Sequence, residues 1–362
     1  MELPNNNLLL INKARGVTSF QEINRIRKEL GISKNGHAGT LDKDAEGLLL
    51  VCTGKATKLL KFLVGLDKTY IAQIHFGIQT TTDDAEGTVC AKSDTSDFSL
   101  DVIKEHLEKY HGKILQRPPN YSAIHVNGKR AYQIAQEGET PKIKEREVTI
   151  HDIKILDFTS PILTLEISCS SGTYIRSLAR DIGIDTGYLA HICALKRTKV
   201  GDFDLQNAFS FEDIKNKSLK VHSPESIVSN LPIIELKNEF INHPYNGKPI
   251  SLQMVKNPPE KPGFYRLLNN DNKLVAILIY ENNKFKYDLI ILDILMPGIS
   301  GFDTLRRLQV LPNIAPIIVY SQAVQKEMAI QALSLGAKTY LIKPQKPEVI
   351  IQKAKELLNG KL

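Results

Sequence analysis

One stretch of the chain gathers glycines around a carboxylate: Gly36-His37-Ala38-Gly39-Thr40-Leu41-Asp42, followed by Gly47 and the apolar run Leu48-Leu49-Leu50-Val51. Glycines on both sides of an acid let the backbone turn sharply, and the apolar run gives that turn a buried element to rest on. An aspartate so placed either stabilises its own turn or projects a carboxylate from the edge of an element. The residue types alone leave both readings open. A second stretch, Arg117 to Lys144, mixes cations with aromatics, among them Tyr121, Lys129, Arg130 and Tyr132, with weak periodicity. It is either a solvated loop or a basic flap that closes over a ligand. Cys52, Cys90, Cys169 and Cys193 form no Cys-x-x-Cys and have no His at metal-ligand spacing, so buried reduced thiols are expected and a metal site is not.

Such residues need elements to hold them. Residues 1–228 read as one mixed α/β unit. Ser19 to Leu30 has a helix signature, with Ser19 as cap, Glu22 three residues on, and Ile23, Ile26 and Leu30 sharing a face. Tyr70 to Phe76 and Leu163 to Cys169 alternate as half-buried strands, whereas Asp101 to Tyr110 and Ile175 to Ile182 look helical. Over 229–287 turn signals crowd together (Asn246-Gly247, Pro258-Pro259, Pro262-Gly263, Asn269-Asn270, Asn282-Asn283), which suggests a small all-β appendage. Over 288–362 the texture changes again. Leu289-Ile290-Ile291-Leu292, Pro316 to Tyr320 and Thr339 to Ile342 are apolar strands separated by helical stretches, the rhythm of a parallel sheet.

Composition sets the outer limits. The 362 residues are 42% hydrophobic and 24% charged, which argues against wholesale disorder or a fibrous repeat and suits two or three domains. No apolar run approaches the ~20 residues of a membrane span. Met1 to Ile11 lacks the basic lead of a secretory signal, so a soluble, cytoplasmic protein is expected. Lys and Arg number 47 against 40 acids, a net +7 that permits an anionic partner without naming one.

Further blocks follow the Asp42 loop in order: Lys68-Thr69-Tyr70, Thr82-Asp83-Asp84-Ala85-Glu86-Gly87, Gln116 to Ala123, Gly128-Lys129-Arg130-Ala131-Tyr132, Cys169 to Arg176, and Leu195-Lys196-Arg197-Thr198. Together they resemble the bacterial tRNA pseudouridine-55 synthases of the TruB type over about residues 1–228, with a weaker likeness to 287. The resemblance implies an α+β fold: a pseudouridine-synthase mixed sheet in the catalytic domain, then a small PUA-like β domain that grips RNA. It implies an isomerase that flips a uridine out of the TΨC loop of tRNA, cuts its glycosidic bond and rejoins the base through carbon. No cofactor or metal is implied, and neither a P-loop nor a dinucleotide fingerprint occurs.

By the same resemblance Asp42 is the catalytic carboxylate, Arg176 its ion-pair partner and Tyr70 the stacking ring that also serves in proton transfer. Tyr174 and Leu195 line the uracil pocket and His37 touches the RNA; as cations, Lys129, Arg130, Lys196 and Arg197 are candidates for phosphate contacts, individually unspecific. The expected partner is the T-arm of tRNA, with neither DNA nor a membrane. The chain also departs from the pattern. Lys43 replaces the family's usual proline after the catalytic acid, Asp44 and Glu46 add charge that could repel phosphate, and His125 and Ser171 stand where lysines are common. A rival reading is therefore an RNA-binding or chaperone protein whose catalysis has weakened.

Asp288 to Gly298, Ser321 and Lys343-Pro344 resemble the later part of a response-regulator receiver domain, with Asp293 at the phosphoacceptor position. Its acidic pair is missing, and magnesium is ordinarily held through several carboxylate and water oxygens, so phosphotransfer on Asp293 is not expected, although a phosphorelay-regulated binder is the third reading. A partial sheet exposes an edge, which makes self-association through this segment a further expectation.

Overall fold

The computed structural model describes residues 7–126, 128–216, 219–244, 248–268, 274–292, 317–321, 326–335, 337 and 339–342. Contacts group Leu8–Gly31 and Asn35–Val221 into one unit and His222 onward into another. In the first, nine strands form one sheet among the described residues: β1 (Leu8–Lys13), β2 (Asn35–Ala38), β3 (Glu46–Thr53), β4 (Lys68–Phe76), β5 (Gly112–Gln116), β6 (Arg146–Thr159), β7 (Ile162–Cys169), β8 (Ala190–Val200) and β9 (Phe203–Asp204). The order is β1-β3-β8-β4-β7-β6-β5, with β2 on β3 and β9 on β8. The β3–β8 pair is parallel and the rest antiparallel, so the sheet is mixed, as expected.

Alternation explains where the core lies. Tyr70, Ala72, Ile74 and Phe76 of β4 and Leu163, Leu165, Ile167 and Cys169 of β7 all face one side. Four helices matter here: α1 (Ser19–Glu29), α2 (Leu100–Leu107), α3 (Ala131–Gln136) and α4 (Ile175–Thr186). Ile175, Leu178, Ala179 and Ile182 of α4 pack on that face with Ile103 and Leu107 of α2. Each buried aliphatic contributes roughly 1.5–3 kcal/mol, so α4 is a rigid platform for whatever its first turn carries. The run Leu8-Leu9-Leu10-Ile11 is fully buried as β1.

Three expectations change. The cap of α1 is Thr18, whose hydroxyl accepts from the Gln21 N–H (3.1 Å) while the Gln21 side chain accepts from the Thr18 N–H (2.9 Å). Ser19 is buried instead: its hydroxyl donates to the Leu41 carbonyl (3.0 Å) and accepts from the Leu41 N–H (2.9 Å). Two adjacent hydroxyls compete for the cap, and the one facing inward is taken by the Asp42 loop. All four cysteines are free, yet only Cys52 and Cys169 are buried, their thiols pushed up by burial to about 12 and about 11. Cys90 is exposed and Cys193 half-buried. The stretch 117–144 contains α3 and a short hairpin, His125–Val126 with Lys129–Arg130, rather than loop alone.

The second unit holds one six-stranded sheet in chain order: β10 (Ile233–Ile234), β11 (Gly263–Leu268), β12 (Leu274–Glu281), β13 (Lys284–Leu292), β14 (Ile317–Ser321) and β15 (Thr339–Ile342). Asn282 and Asn283, at φ 51° and 59°, make the β12–β13 hairpin, since asparagine tolerates the left-handed region that this tight turn needs. Strand β13 pairs antiparallel with β12 and parallel with β14. It runs through position 288, where a bulge shifts its register against β12, so the β-rich and receiver-like stretches share one sheet. The expected parallel strands are present, with helix α5 (Lys326–Ser334) between β14 and β15. Ser321 ends β14, whereas Asp293 and Lys343 lie outside the described residues. Among the described residues, no helix is long and apolar enough to cross a membrane.

Candidate active site

Asp42 sits in the turn between β2 and β3, and neighbours hold that turn from three sides. Ser19 takes both backbone groups of Leu41, as above. The Lys13 ammonium donates to the carbonyls of Ala14 (3.0 Å), Val17 (2.7 Å) and Lys43 (3.2 Å). Arg197 donates through Nη2 to the Gly39 carbonyl and through Nε to that of Leu48, both at 2.8 Å. Gly47 follows, at φ 102°, where a Cβ would lie 2.3 Å from the Arg197 carbonyl oxygen. Only glycine lets β3 approach β8 so closely.

Arg176, in the first turn of α4, meets the acid. Its side chain is 6% exposed, and Nε lies 2.9 Å from Oδ2 of Asp42, whose own side chain is 46% exposed. Nη2 donates to Asp42 Oδ1 (3.3 Å) and to the Tyr121 carbonyl (3.1 Å); Nη1 donates to the Thr82 carbonyl (3.0 Å) and lies 3.3 Å from Asp84 Oδ2. A fixed planar fork thus satisfies two acids and two carbonyls at once. One turn on, Arg180 pairs with Asp83 (3.1 Å) and Asp181 (2.8 Å) and donates to the Arg117 carbonyl (2.8 Å). Burial pushes the Asp83 and Asp181 carboxyls up, with Arg180 opposing. The helix carrying Arg176 is therefore tied to the root of the 117–144 flap, a tie that Ser177 doubles by donating to Arg117 (2.9 Å).

Tyr70, on β4, is the direct strand partner of Arg197 on β8. Burial pushes its phenol up, while the hydrogen-bonded Arg197 guanidinium pulls it down and the Asp42 charge is felt there too. Tyr174 is the N-cap residue of α4: Gln116 accepts from its N–H (2.8 Å) and donates to its carbonyl (3.1 Å), and its ring lies 4.9 Å from the Arg146 guanidinium. Leu195 packs half-buried against the core. His37, on β2, contacts Thr40 Oγ1 (3.3 Å), and burial, helped by Arg197, lowers its pKa toward a neutral ring.

The structure separates the four expected phosphate contacts. Lys129 is exposed and paired with Glu137 (3.0 Å), Arg130 is exposed and donates to the Ala123 carbonyl, and Lys196 pairs with Glu46 (3.2 Å). Arg197 corrects its assignment. It is 1% exposed, turned into the sheet by strand alternation, and cannot reach a phosphate. The charges around Asp42 are balanced one by one, since Lys43 meets Glu86 (3.4 Å) and Asp44 meets Arg15 (3.3 Å). Asp84, Asp83 with Arg180, and the inward role of Arg197 were not assigned from sequence; the Thr82–Gly87 block was the available signal for the first two. Among the described residues no cluster of His, Cys, Asp and Glu is arranged to hold a metal ion.

Comparison with known proteins gives this geometry a family. Residues 27–175 match the TruB family pseudouridylate synthase N-terminal domain, 176–231 the tRNA pseudouridylate synthase B C-terminal domain, and 248–355 the response regulator receiver domain. The receiver match starts upstream of position 288, where its strand pattern begins. A tRNA pseudouridine synthase B from Borreliella afzelii (strain PKo) is 39% identical over 288 residues, 79% of this chain and 99% of that protein. One from Francisella tularensis subsp. novicida (strain U112) is 37% identical over 285 residues, 77% and 92%. The crystal structure of a Cbf5-Nop10-Gar1 complex superposes with TM-score 0.62 at 22% identity, over 78% of this chain and 84% of that one, a likeness of fold. The fold and the relatives define a pseudouridine synthase, an enzyme that isomerises uridine to pseudouridine. Within that class, the chain belongs to the TruB family.

Proposed function

We propose that the substrate is the uridine at position 55 in the TΨC loop of tRNA, with Asp42 as catalytic carboxylate, Arg176 as its partner and Tyr70 as stacking ring. The observation that carries this reading is the 2.9 Å contact of a buried guanidinium with an aspartate still 46% exposed. One end of the pair is anchored and the other is open to a ribose. The base must leave its stack, at a cost of a few kcal/mol, and a ring to lie on offsets ~1–3 kcal/mol of that. Tyr70, Tyr174 and Leu195 supply those surfaces and His37 borders them. The Asp42 carboxylate acts at C1′ or C2′ of the ribose, and Arg176 holds it in place. The glycosidic electron pair leaves with N1, the uracil turns, C5 bonds to C1′, and the proton lost from C5 is balanced by the one N1 gains. Burial keeps Tyr70 a neutral phenol, the form this reading requires for that transfer.

Lys129 and Arg130, exposed, and Lys196, half-buried, are cations suited to the RNA backbone. We read residues 1–228 as the catalytic domain, 229–287 as a PUA-like grip on the tRNA, and 288–362 as a receiver-like segment through which copies associate, in a cytoplasmic protein. The test is isomerisation of a T-arm transcript against an unrelated uridine-containing hairpin. The reading expects turnover on the T-arm at least about a hundredfold faster, whereas equal rates on both would overturn the T-arm assignment.

A further inference from the structure

Arg197 is the largest fully buried side chain among the described residues, and no acid forms an ion pair with it there. Burying a cation costs several kcal/mol unless dipoles replace its water, and an apolar side chain at such a place often leaves a protein as stable or more so. Folding alone does not call for a guanidinium here. What the guanidinium touches gives the reason: the Gly39 carbonyl in the Asp42 turn and the Leu48 carbonyl at the start of the next strand's apolar run. Its backbone is fixed as well, paired with Tyr70 on one side and with Gly47 on the other.

We infer that Arg197 is a positioning residue, whose buried fork holds the Gly39 and Leu48 carbonyls from a strand position paired with Tyr70 and so sets the distance between the Asp42 carboxylate and the ring that receives the base. This rests on the roles given above to Asp42 and Tyr70. Displacing reacting groups by about 1 Å costs on the order of a hundredfold in rate, with binding left intact.

The test compares single-turnover isomerisation of a T-arm transcript, its dissociation constant and thermal melting for the parent, Arg197→Met, Arg197→Lys and Asp42→Asn. For Arg197→Met the expected result is a rate at saturating RNA lower by about a hundredfold, a dissociation constant within about twofold and a melting temperature that still leaves the variant folded in the assay. Arg197→Lys, which keeps the charge but not the fork, should recover part of the rate. If the methionine variant does not fold, the lysine variant decides, its rate expected at least about tenfold below the parent. The inference is overturned by a parental rate in the variant that folds, or by a loss seen only as weaker RNA binding. An active Asp42→Asn would instead defeat the reading of the site itself; an inactive one beside a parental Arg197→Met defeats this inference alone.

Discussion

The two units of this chain treat charge in opposite ways. In the first, Arg176 and Arg180 are 6% and 14% exposed and each binds two acids beneath the Asp42 turn, with Lys13 and Arg197 buried nearby. In the second, the described ion pairs Lys256–Glu235 and Lys286–Glu281 stand in solvent, and the core is Ile234, Leu236, Ile250, Val255, Leu267, Leu278 and their neighbours. A sheet needs only the apolar kind of interior to be stable. Buried charge is the costly kind, and in this enzyme it collects around one turn, where fixed dipoles hold an acid ready for a sugar.

That contrast can be pressed experimentally. The largest effect on stability is expected from Arg176→Met, which strands Asp42 and Asp84 together. Turnover should fall at least about a hundredfold, and urea unfolding should show a loss of about 3 kcal/mol, the lower end for a buried pair because Asp42 is half open. Next, Ser19→Ala leaves the Leu41 N–H and carbonyl unpaired. A loss of about 2 kcal/mol in the same unfolding assay, with a slower turnover, is the expected outcome.

A third test uses pH. Burial lowers Lys13 to about 8, against the raising influence of Glu22, Asp42 and Asp44 and with Arg197 adding to the fall. Its three carbonyl partners use all three N–H groups of the ammonium, so deprotonation frees one hold on the turn. Turnover should therefore decline through about pH 8. Stability should move the other way: between about 8 and 10.5 the unfolded chain keeps a proton that the folded one has lost, so stability rises with pH there. Lys68, lowered by burial to about 8, adds to that rise. Parallel pH series of rate and urea midpoint check both signs. The smallest effect belongs to the second unit, where Glu281→Gln should change stability by less than about 0.5 kcal/mol in the same assay.

Much of the site was legible because its parts are local. The Asp42 turn announces itself by glycines, β4 and β7 by strict alternation, and α4 by its apolar face behind the Gly172 turn. Arg197 was misread because Lys196 and Arg197 look like a basic pair on paper, whereas a strand sends neighbours to opposite faces; one reaches solvent and the other the sheet interior. The balancing of Lys43 by Glu86 and of Asp44 by Arg15 depends on tertiary approach that spacing does not encode. In the second unit the apolar strands after position 288 were visible one by one, and those before it only through their turn signals. That β13 joins the antiparallel hairpin to the parallel pair was not, because the choice of two neighbours is made by packing rather than by residue type.

The most direct measurement is single-turnover isomerisation of a T-arm transcript by the parent, Asp42→Asn, Arg176→Gln and the double variant, each at saturating RNA. If one carboxylate held by one guanidinium does the chemistry, Asp42→Asn falls by at least about a thousandfold, equivalent to ~4 kcal/mol, and adding Arg176→Gln costs nothing further. An Asp42→Asn enzyme within tenfold of the parent, or losses that simply add, would contradict the account.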